Sequence, residues 1–438
     1  MWRSMYVWLV SVAGGALGQL PTEIAGYEVL ARAEGQLGNQ FFMLPVSSSL
    51  QGVTPSINNA GDVTFAYTNF SNGSGRVTWV NGQSVSIPFG GEVEPSVGDG
   101  GRVVWAVGGS DPQPQNRGVW TYQLSTGVTA RLTSAPAGAT DWGIPVVADD
   151  GTIASRVTTP LGPSVGTYAG SDFVPVAASD GVPFTFFSDR IAINSSGSVA
   201  ARAFDSAGRR GIFLFDGAGG VAPLLVHGAT SPTGNTVEST LVGLDINGSS
   251  RVAVLAFTSG GDEILGVDAD GTVTVYATEF GGIVSDIDAV PPRINDDGWI
   301  VFRGRNAAGD EAAFVSDGVD ILEIASVGTG LQADFGPAVV GGVVGGVDIN
   351  NAGQAVINAE LRQPPLSSGR GLAIVRVDIV PQDDCPADVN GDGELTPADF
   401  NAWVIAFNGQ LPPCDQNGDG LCNPADFNAW VVNFNGGC

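Results

Sequence analysis

The sequence predicts a mainly β protein, a seven-bladed β-propeller closed by its N-terminal strand, followed by a small all-α unit. Three observations lead to this prediction. Glycine is abundant, with 64 residues in 438, and 26 prolines accompany it, a composition that suits short strands joined by tight turns. A turn motif recurs seven times at intervals of 40 to 55 residues, the size of one four-stranded blade. The C-terminal end contains two similar stretches, DVNGDGELTPAD and DQNGDGLCNPAD.

Residues 1–18 have the pattern of a secretory signal peptide. Arg3 precedes an apolar run from Met5 to Val12, and small residues follow, so cleavage is expected after Gly18. The alternative is an N-terminal membrane anchor, but the run is far shorter than the roughly 20 apolar residues that a spanning helix needs. We therefore expect a secreted or cell-surface protein without a transmembrane anchor, in which cysteines can form disulfides.

Residues 19–380 contain the recurring motif, which begins with a turn. In a copy such as Asn58-x-x-Gly61, the asparagine side chain caps its own backbone and the glycine takes a left-handed conformation. Two strands, a further tight turn and a short β-branched strand follow, so each copy provides about four strands. The glycine position of the motif is occupied, in order, by Gly61, Gly101, Gly151, Gly197, Ser250, Gly298 and Gly353.

The seventh copy is one strand short at its C-terminal end, and a matching strand is present near the N-terminus. The stretch that starts at Tyr27 is similar to the stretch from Asp320 that closes the sixth copy. We therefore expect the N-terminal strand to complete the last blade and close the ring, which also removes free sheet edges. An array of β-sandwiches is the alternative architecture.

The copies resemble the tandem NxxGxxxF repeat family of exported bacterial proteins across roughly residues 27–380. The resemblance implies a fold, and it implies no particular activity. Two copies match the pattern in full: Asn58-x-x-Gly61-x-x-x-Phe65 and Asn295-x-x-Gly298-x-x-x-Phe302.

The two C-terminal stretches have the ligand spacing of EF-hand-type calcium loops. Such a loop uses side-chain oxygens at positions 1, 3, 5 and 9, glycine at 6, a backbone carbonyl at 7 and a carboxylate at 12. Hard oxygen ligands at this spacing favour calcium, and the tandem arrangement predicts two calcium ions. The first loop supplies Asp388, Asn390, Asp392, the carbonyl of Glu394, Thr396 and Asp399. The second supplies Asp415, Asn417, Asp419, the carbonyl of Leu421, Asn423 and Asp426.

A helix is expected after each loop, because Thr396 and Asn423 are capping residues and a proline follows each at the first helical position. Apolar residues at i, i+3, i+4 and i+7 then form one helix face and the expected core. This arrangement over residues 385–438 resembles a dockerin domain of type I. The core positions are Phe400, Trp403, Val404 and Phe407, and then Phe427, Trp430, Val431 and Phe434.

The dockerin resemblance implies calcium binding and attachment to a cohesin-like or other cell-surface protein. This chain departs from the family at the positions that contact cohesin. Proline and alanine occupy loop positions 10 and 11 in both loops, position 18 is Ile405 or Val432, and residues 385–438 contain no basic side chain. The resemblance therefore carries over the calcium sites and leaves the partner unidentified.

All four cysteines lie in or beside this unit, which is too small to bury an extensive core. Four cysteines allow three pairings. We favour Cys385–Cys438, which would join the two ends of the unit, together with Cys414–Cys422, which would flank the second loop. Residues 381–384 are expected to be the linker between the two domains.

The composition excludes several functions. The net charge is −27 and all 18 basic residues are arginine, so nucleic acid is not an expected partner and lysine Schiff-base chemistry is excluded. A single histidine, His227, disfavours a Ser-His-Asp triad. No catalytic residue is singled out by the sequence, and calcium is the one cofactor that it predicts.

The sequence favours a binding or display protein, in which the propeller takes a glycan or protein ligand and the C-terminal unit attaches it to a partner. A polysaccharide-degrading hydrolase or lyase carried by the dockerin-like unit is the alternative, and a structural envelope protein is a third hypothesis. Converging carboxylates at one mouth of the propeller channel would favour the enzyme.

Overall fold

The protein is described from a computed structural model of the full chain. The structure describes residues 20, 24–33, 48–50, 53–69, 75–80, 83–86, 94–108, 111, 114–132, 138–178, 183–217, 219–240, 243–364, 369–379, 387, 389, 395–409, 414, 416 and 421–436. Within these ranges no helix has the length and apolar character needed to cross a membrane. The chain separates into two compact units, one containing Ile24–Ile379 and the other Val380–Cys438.

The large unit consists of strands, which form seven antiparallel sheets within the described ranges. We number the sheets 1 to 7 in chain order. The N-terminal strand is β1 (Ile24–Arg32). Sheet 1 contains β2 (Ser48–Ser49), β3 (Ser56–Ile57), β4 (Val63–Asn69), β5 (Gly75–Val80) and β6 (Gln83–Ser86). Sheet 2 contains β7 (Ser96–Val97), β8 (Arg102–Val107), β9 (Gly118–Gln123) and β10 (Val128–Leu132). Sheet 3 contains β11 (Asp141–Trp142), β12 (Val146–Val147), β13 (Ile153–Thr159), β14 (Gly162–Ala169) and β15 (Asp172–Ala178).

The second half of the large unit repeats this arrangement. Sheet 4 contains β16 (Phe184–Ile193), β17 (Val199–Asp205), β18 (Arg210–Phe215) and β19 (Val221–Val226). Sheet 5 contains β20 (Val237–Ser239), β21 (Leu244–Ile246), β22 (Val252–Thr258), β23 (Gly261–Val267) and β24 (Val273–Thr278). Sheet 6 contains β25 (Val284–Ile287), β26 (Arg293–Ile294), β27 (Ile300–Asn306), β28 (Glu311–Ser316) and β29 (Ile321–Ser326). Sheet 7 contains β30 (Gly330–Ala333), β31 (Gly336–Ile349), β32 (Gln354–Arg362), β33 (Gly369–Ile379) and β1.

The N-terminal strand joins the last sheet, as the sequence predicts. β1 pairs antiparallel with β33, with Tyr27 opposite Val377. Arg32 of β1 is almost fully buried and makes a two-bond ion pair with Asp334, at 2.9 and 2.5 Å, beside the end of β30. A buried ion pair therefore links β1 to the end of β30, the two edge strands of sheet 7.

Both faces of the central strands are buried because each sheet packs between two others. Seven hydrophobic clusters each combine side chains from two sheets, and six of them join sheets that follow one another in the chain. The other one joins sheet 7 to sheet 1, through residues such as Val356, Ile374 and Phe65. The strands consequently read as almost continuous apolar runs, for example VAVLAFT in β22. Sheets of four or five strands that pack face to face in succession form a β-propeller.

The turn that opens each copy has the predicted backbone conformation. The motif glycine has a positive φ in all six copies that contain it, such as 80° at Gly61 and 84° at Gly151. Ser250 occupies this position in the fifth copy and adopts φ 66° as well. A side chain at such a φ strains the backbone, which explains why glycine is preferred there.

The small unit contains two helices of equal length, α1 (Pro397–Gly409) and α2 (Pro424–Gly436). Each begins at the predicted proline and ends at a glycine. Trp403 and Trp430 are buried, but Phe400 and Phe427 are 38% and 42% exposed, so the prediction that the latter two belong to the core is wrong. Their rings lie 6.1 Å apart in the first turns of the helices, where two helices alone cannot enclose them.

Candidate functional site

Five buried asparagines at the first position of the turn connect successive copies of the motif. In each, Oδ1 accepts the predicted capping bond from the amide four residues later, as from Trp299 to Asn295 at 2.9 Å. Nδ2 also donates to the backbone carbonyl at the same position of the following copy. We call these five residues the asparagine ring. The cross-copy bonds run from Asn58 to Gly98 (3.0 Å), Asn194 to Asn247 (3.0 Å), Asn247 to Asn295 (3.2 Å), Asn295 to Asn350 (3.2 Å) and Asn350 to Asn58 (2.8 Å).

The second residue of the turn builds another network in copies 1, 2, 3, 6 and 7, which we call the acidic mouth: Asn59, Asp99, Asp149, Asp296 and Asn351. Asn59 Nδ2 donates to Asp99 at 2.8 Å and to Asp149 at 3.2 Å. Asn351 Nδ2 donates to Asp296 at 2.8 Å and to Asp149 at 3.5 Å. Carboxylates from three copies therefore converge on two amide side chains.

The carboxyl group of Asp149 has a raised pKa. Partial desolvation beside its neighbours raises the pKa of Asp149 to about 6, although the residue as a whole is exposed. The negative charges of Asp99, Asp296 and Asp245 act in the same direction, against the hydrogen bond from Asn59. A carboxyl group with a pKa near 6 beside other carboxyl groups can serve as a general acid near neutral pH.

A cavity of about 140 Å³ lies beneath the acidic mouth and is lined by the innermost strands of all seven sheets. The channel-facing position of these strands carries a mixture of charged, polar and apolar side chains. The residues at this position are Ser56, Ser96, Val146, Ala192, Asp245, Arg293 and Asp348. At this position the side chain is polar or charged in sheets 5, 6, 7, 1 and 2 and apolar in sheets 3 and 4. Arg190 of sheet 4 also lines the cavity, where it pairs with Glu94 at 2.5 Å.

Three adjacent sheets place Asp245, Arg293 and Asp348 side by side in this cavity. Arg293 Nε lies 4.0 Å from an oxygen of Asp348. The other oxygen of Asp348 accepts from the amide of Ile57 at 2.9 Å, and Asp245 accepts from the amide of Ile294 at 3.1 Å. The Nε atom of Arg293 is buried and makes no hydrogen bond within the described part of the chain.

Burial changes the acidity of this group. It raises the pKa of Asp348 to about 6, with Arg293 acting in the opposite direction and Asp245 in the same one. The pKa of Asp245 is raised by burial as well, against the effect of Arg293. Sequence reasoning missed these three residues. The signal was their shared position, two residues before the turn asparagine, in the fifth, sixth and seventh copies.

In the small unit, the two position-12 carboxylates occupy equivalent buried places. Asp399 accepts from the amide of Thr396 at 2.8 Å, and Asp426 accepts from the amide of Asn423 at 2.7 Å. The other oxygen of Asp426 accepts from the amide of Gln416 at 3.1 Å. Asp399 and Asp426 are both 0% exposed. Each therefore closes a capping box at the start of its helix.

Hydrogen bonds from two tryptophans connect the two loop-helix halves. Trp403 of α1 donates its indole N–H to the carbonyl of Cys414, the residue before the second loop, at 3.3 Å. Trp430 of α2 donates to the carbonyl of Ala387, the residue before the first loop, at 3.2 Å. Cys414 and Cys422 form the predicted disulfide. Each helix is thus bonded to the start of the other half's loop.

Five of the twelve predicted calcium ligands are described by the structure, and these are Thr396, Asp399, Leu421, Asn423 and Asp426. The other seven lie outside the described residues, as do the signal peptide, residues 381–384 and the predicted pair Cys385–Cys438. Within the described residues, no three His, Cys, Asp or Glu side chains are grouped so that they could hold a metal ion. The remaining ligands are Asp388, Asn390, Asp392, Glu394, Asp415, Asn417 and Asp419.

The packed sheets define a β-propeller protein. Comparison with known proteins finds solved structures that are similar to this chain in fold alone. No family model matches the sequence, and no curated protein matches it. Oligogalacturonate lyase from Vibrio parahaemolyticus is 12% identical, covering 75% of this chain and 89% of its own, with a TM-score of 0.46. The β-propeller domain of the Trilobed protease from Pyrococcus furiosus is 11% identical, covering 75% and 93%, with a TM-score of 0.46. Similarities of this size assign no activity to the chain.

Proposed function

We propose that the protein is an exported calcium-binding protein whose propeller binds or displays a ligand and whose residues 385–438 attach it to a cell-surface or scaffold partner. The observation that carries this proposal is the complete burial of two equivalent carboxylates, Asp399 and Asp426, in a unit with repeated loop spacing. The propeller with its polar channel supports the binding role.

The charge balance of the small unit supports a bound cation. Residues 381–438 contain nine acidic side chains and no basic one. Burying a carboxylate without a compensating positive charge costs several kcal/mol, and no arginine or lysine of this unit can supply that charge. Oxygen ligands at the spacing of the two loops suit calcium. We assign the ions to the twelve residues named above, with Asp399 and Asp426 as the closing carboxylates.

The crossed tryptophan bonds imply that the two sites act together. Each helix holds the residue that precedes the other loop, so ordering one loop should favour the ordering of the second. We expect metal binding to be linked to folding of the unit, and the first ion to strengthen binding of the second.

Calorimetric titration of the full chain with calcium tests this proposal. We expect two ions per chain, and loss of both after the double change Asp399→Asn and Asp426→Asn. The matched control is Asp270→Asn, which removes one exposed carboxylate from a propeller turn and should leave the stoichiometry at two. An unaltered titration of the double variant would refute the calcium assignment.

Attachment is assigned to the outer faces of the two helices. Ile405 and Val432 occupy equivalent positions, and each is 69% exposed. We expect calcium-dependent capture of one envelope protein by the full chain, abolished by Ile405→Asp together with Val432→Asp. Capture that persists in both EDTA and the double variant would contradict attachment through this unit.

A second candidate function is a carbohydrate-active hydrolase or lyase, and the acidic mouth favours it. Asp149, with its raised pKa, would act as the general acid beside Asp99 and Asp296. Reducing-sugar or unsaturated-sugar release from a panel of polysaccharides would test it, with Asp149→Asn as the inactive variant and Asp270→Asn as the control. Equal activity of wild type and Asp149→Asn would exclude this assignment.

We also propose that the seven sheets are seven blades of one closed ring. The support is the series of clusters between successive sheets, including the one between sheets 7 and 1, and the bond from Asn350 to Asn58. Removing residues 19–33 should abolish cooperative unfolding of the large unit, because sheet 7 loses β1.

A further inference from the structure

A row of aromatic and basic side chains crosses sheet 4 at one end. Phe186 of β16 is opposite Phe204 of β17, and Phe204 is opposite Arg210 of β18. The amide of His227, just after β19, donates to the carbonyl of Arg210. Arg202 lies two residues before Phe204 on the same strand, so it is on the same face. We call these five residues the arginine–phenylalanine cluster.

The guanidinium groups of the cluster stack on its rings. Arg202 lies 5.0 Å from the ring centre of Phe204 and 5.6 Å from that of Phe186. Arg210 lies 4.9 Å from the ring centre of Phe204. The two rings are 4.6 Å apart. Arg202 and Arg210 therefore both stack on the ring of Phe204. A guanidinium that stacks on a ring keeps its in-plane N–H groups available to a further acceptor.

Within the described part of the chain, no carboxylate forms an ion pair with an arginine of the cluster. Ten other arginines form ion pairs there, whereas Arg202 and Arg210 form none. The Nε atom of Arg202 and the Nε2 atom of His227 are buried and have no hydrogen-bond partner among the described residues. Burial and the charges of Arg202 and Arg210 lower the pKa of His227. Because the positive charges of Arg202 and Arg210 lie close together without a counter-ion, they favour the binding of an external anion.

We propose that Arg202, Arg210 and His227 form a binding site for an oxyanion, the carboxylate or sulfate group of an acidic polysaccharide. Paired guanidinium edges match the two oxygens of such a group and bind it by charge-assisted hydrogen bonds. The proposal rests on the ligand-binding role of the propeller and supplies the chemical class of its ligand. The site lies on sheet 4 and uses no residue of the acidic mouth or of the small unit.

The negative charge of the whole chain does not prevent this binding at physiological salt. At 0.15 M ionic strength, exposed charges are screened beyond about 8 Å, so the neighbouring arginines determine the local potential. At low salt the net charge of −27 would repel a polyanion. We therefore choose 0.15 M sodium chloride for the measurement.

The test is titration of the full chain with polygalacturonate, dextran sulfate and neutral dextran in separate experiments. Polygalacturonate carries carboxylates and dextran sulfate carries sulfates, so the two arms distinguish the source of the oxyanion. The test variant is Arg210→Gln, because Arg210 is exposed and its loss should preserve the fold. The matched control is Arg209→Gln, which removes the same charge from the adjacent residue, where the guanidinium already pairs with Asp205.

We expect at least one acidic polymer to bind, neutral dextran not to bind, and Arg210→Gln to weaken binding about tenfold to hundredfold. Arg209→Gln should bind as the wild type does. Binding of neither acidic polymer would overturn the proposal. So would equal losses in the two variants, or a lower melting temperature of Arg210→Gln with unchanged binding, which would make the cluster structural. None of these failures bears on the calcium titration, since that depends on Asp399 and Asp426.

Discussion

Replacing Asn350 by alanine tests whether the first and last copies of the motif are closed on each other. Asn350 is 3% exposed. Its Nδ2 donates to the carbonyl of Asn58 at 2.8 Å, and its Oδ1 accepts from the amide of Gln354 at 2.9 Å. The change leaves the amide of Gln354 buried without that acceptor, at about 1–3 kcal/mol, and removes one of the bonds to the Asn58 carbonyl, at about 0.5–1.5 kcal/mol. We expect a loss of about 2–4 kcal/mol in the free energy of unfolding.

The assay is guanidinium denaturation of the full chain, followed by tryptophan fluorescence at a fixed calcium concentration. Asn295→Ala is the matched variant, because Asn295 makes the same two kinds of bond between consecutive copies. In a closed ring the two variants lose similar amounts of stability. A loss of 2–4 kcal/mol for Asn295→Ala with less than about 0.5 kcal/mol for Asn350→Ala would refute closure, since the latter range is that of a surface change.

Three further changes probe the large unit. Asp149→Asn should raise the melting temperature at pH 7.5 and have little effect at pH 3.5. Because the folded pKa is raised to about 6, the stability contributed by the wild-type carboxyl is fully present below the unfolded pKa of about 3.9 and is lost as the pH rises through 6. Gly151→Ala should destabilise by about 1 kcal/mol in urea denaturation, since φ is 84° and no atom contacts the added methyl group. Arg32→Leu should destabilise by about 3–5 kcal/mol by leaving Asp334 buried and unpaired, and adding Asp334→Leu should restore most of this loss.

The turns and helices could be predicted because local chemistry determines them. Asn58-x-x-Gly61 specifies its own turn, and Pro397 and Gly409 mark the ends of α1 by rules that need no partner. The pairing of β1 with β33 was also predictable, because the last copy lacks a strand that the N-terminal end supplies. In each case the evidence lies within one copy or in a comparison of two copies.

The cavity and the cluster on sheet 4 could not be predicted, because they depend on which residues the packing of the sheets brings together. Asp245, Arg293 and Asp348 are separated by about 50 residues each in the sequence, and only the side-by-side arrangement of three sheets makes them neighbours. The burial of Phe400 was mispredicted for a related reason. The spacing of apolar residues predicts which side of a helix is apolar, but how much of that side is covered depends on the packing of the whole unit.

The position of β33 within sheet 7 has a mechanical consequence. This strand leads out of the large unit at Ile379, and it is hydrogen-bonded to β32 on one side and to β1 on the other. A pulling force transmitted along the chain from residues beyond 379 would load two rows of bonds in shear, whereas a strand at a sheet edge can be peeled away bond by bond. A protein held by its C-terminal end against flow would thus carry tension through one of its most firmly held strands.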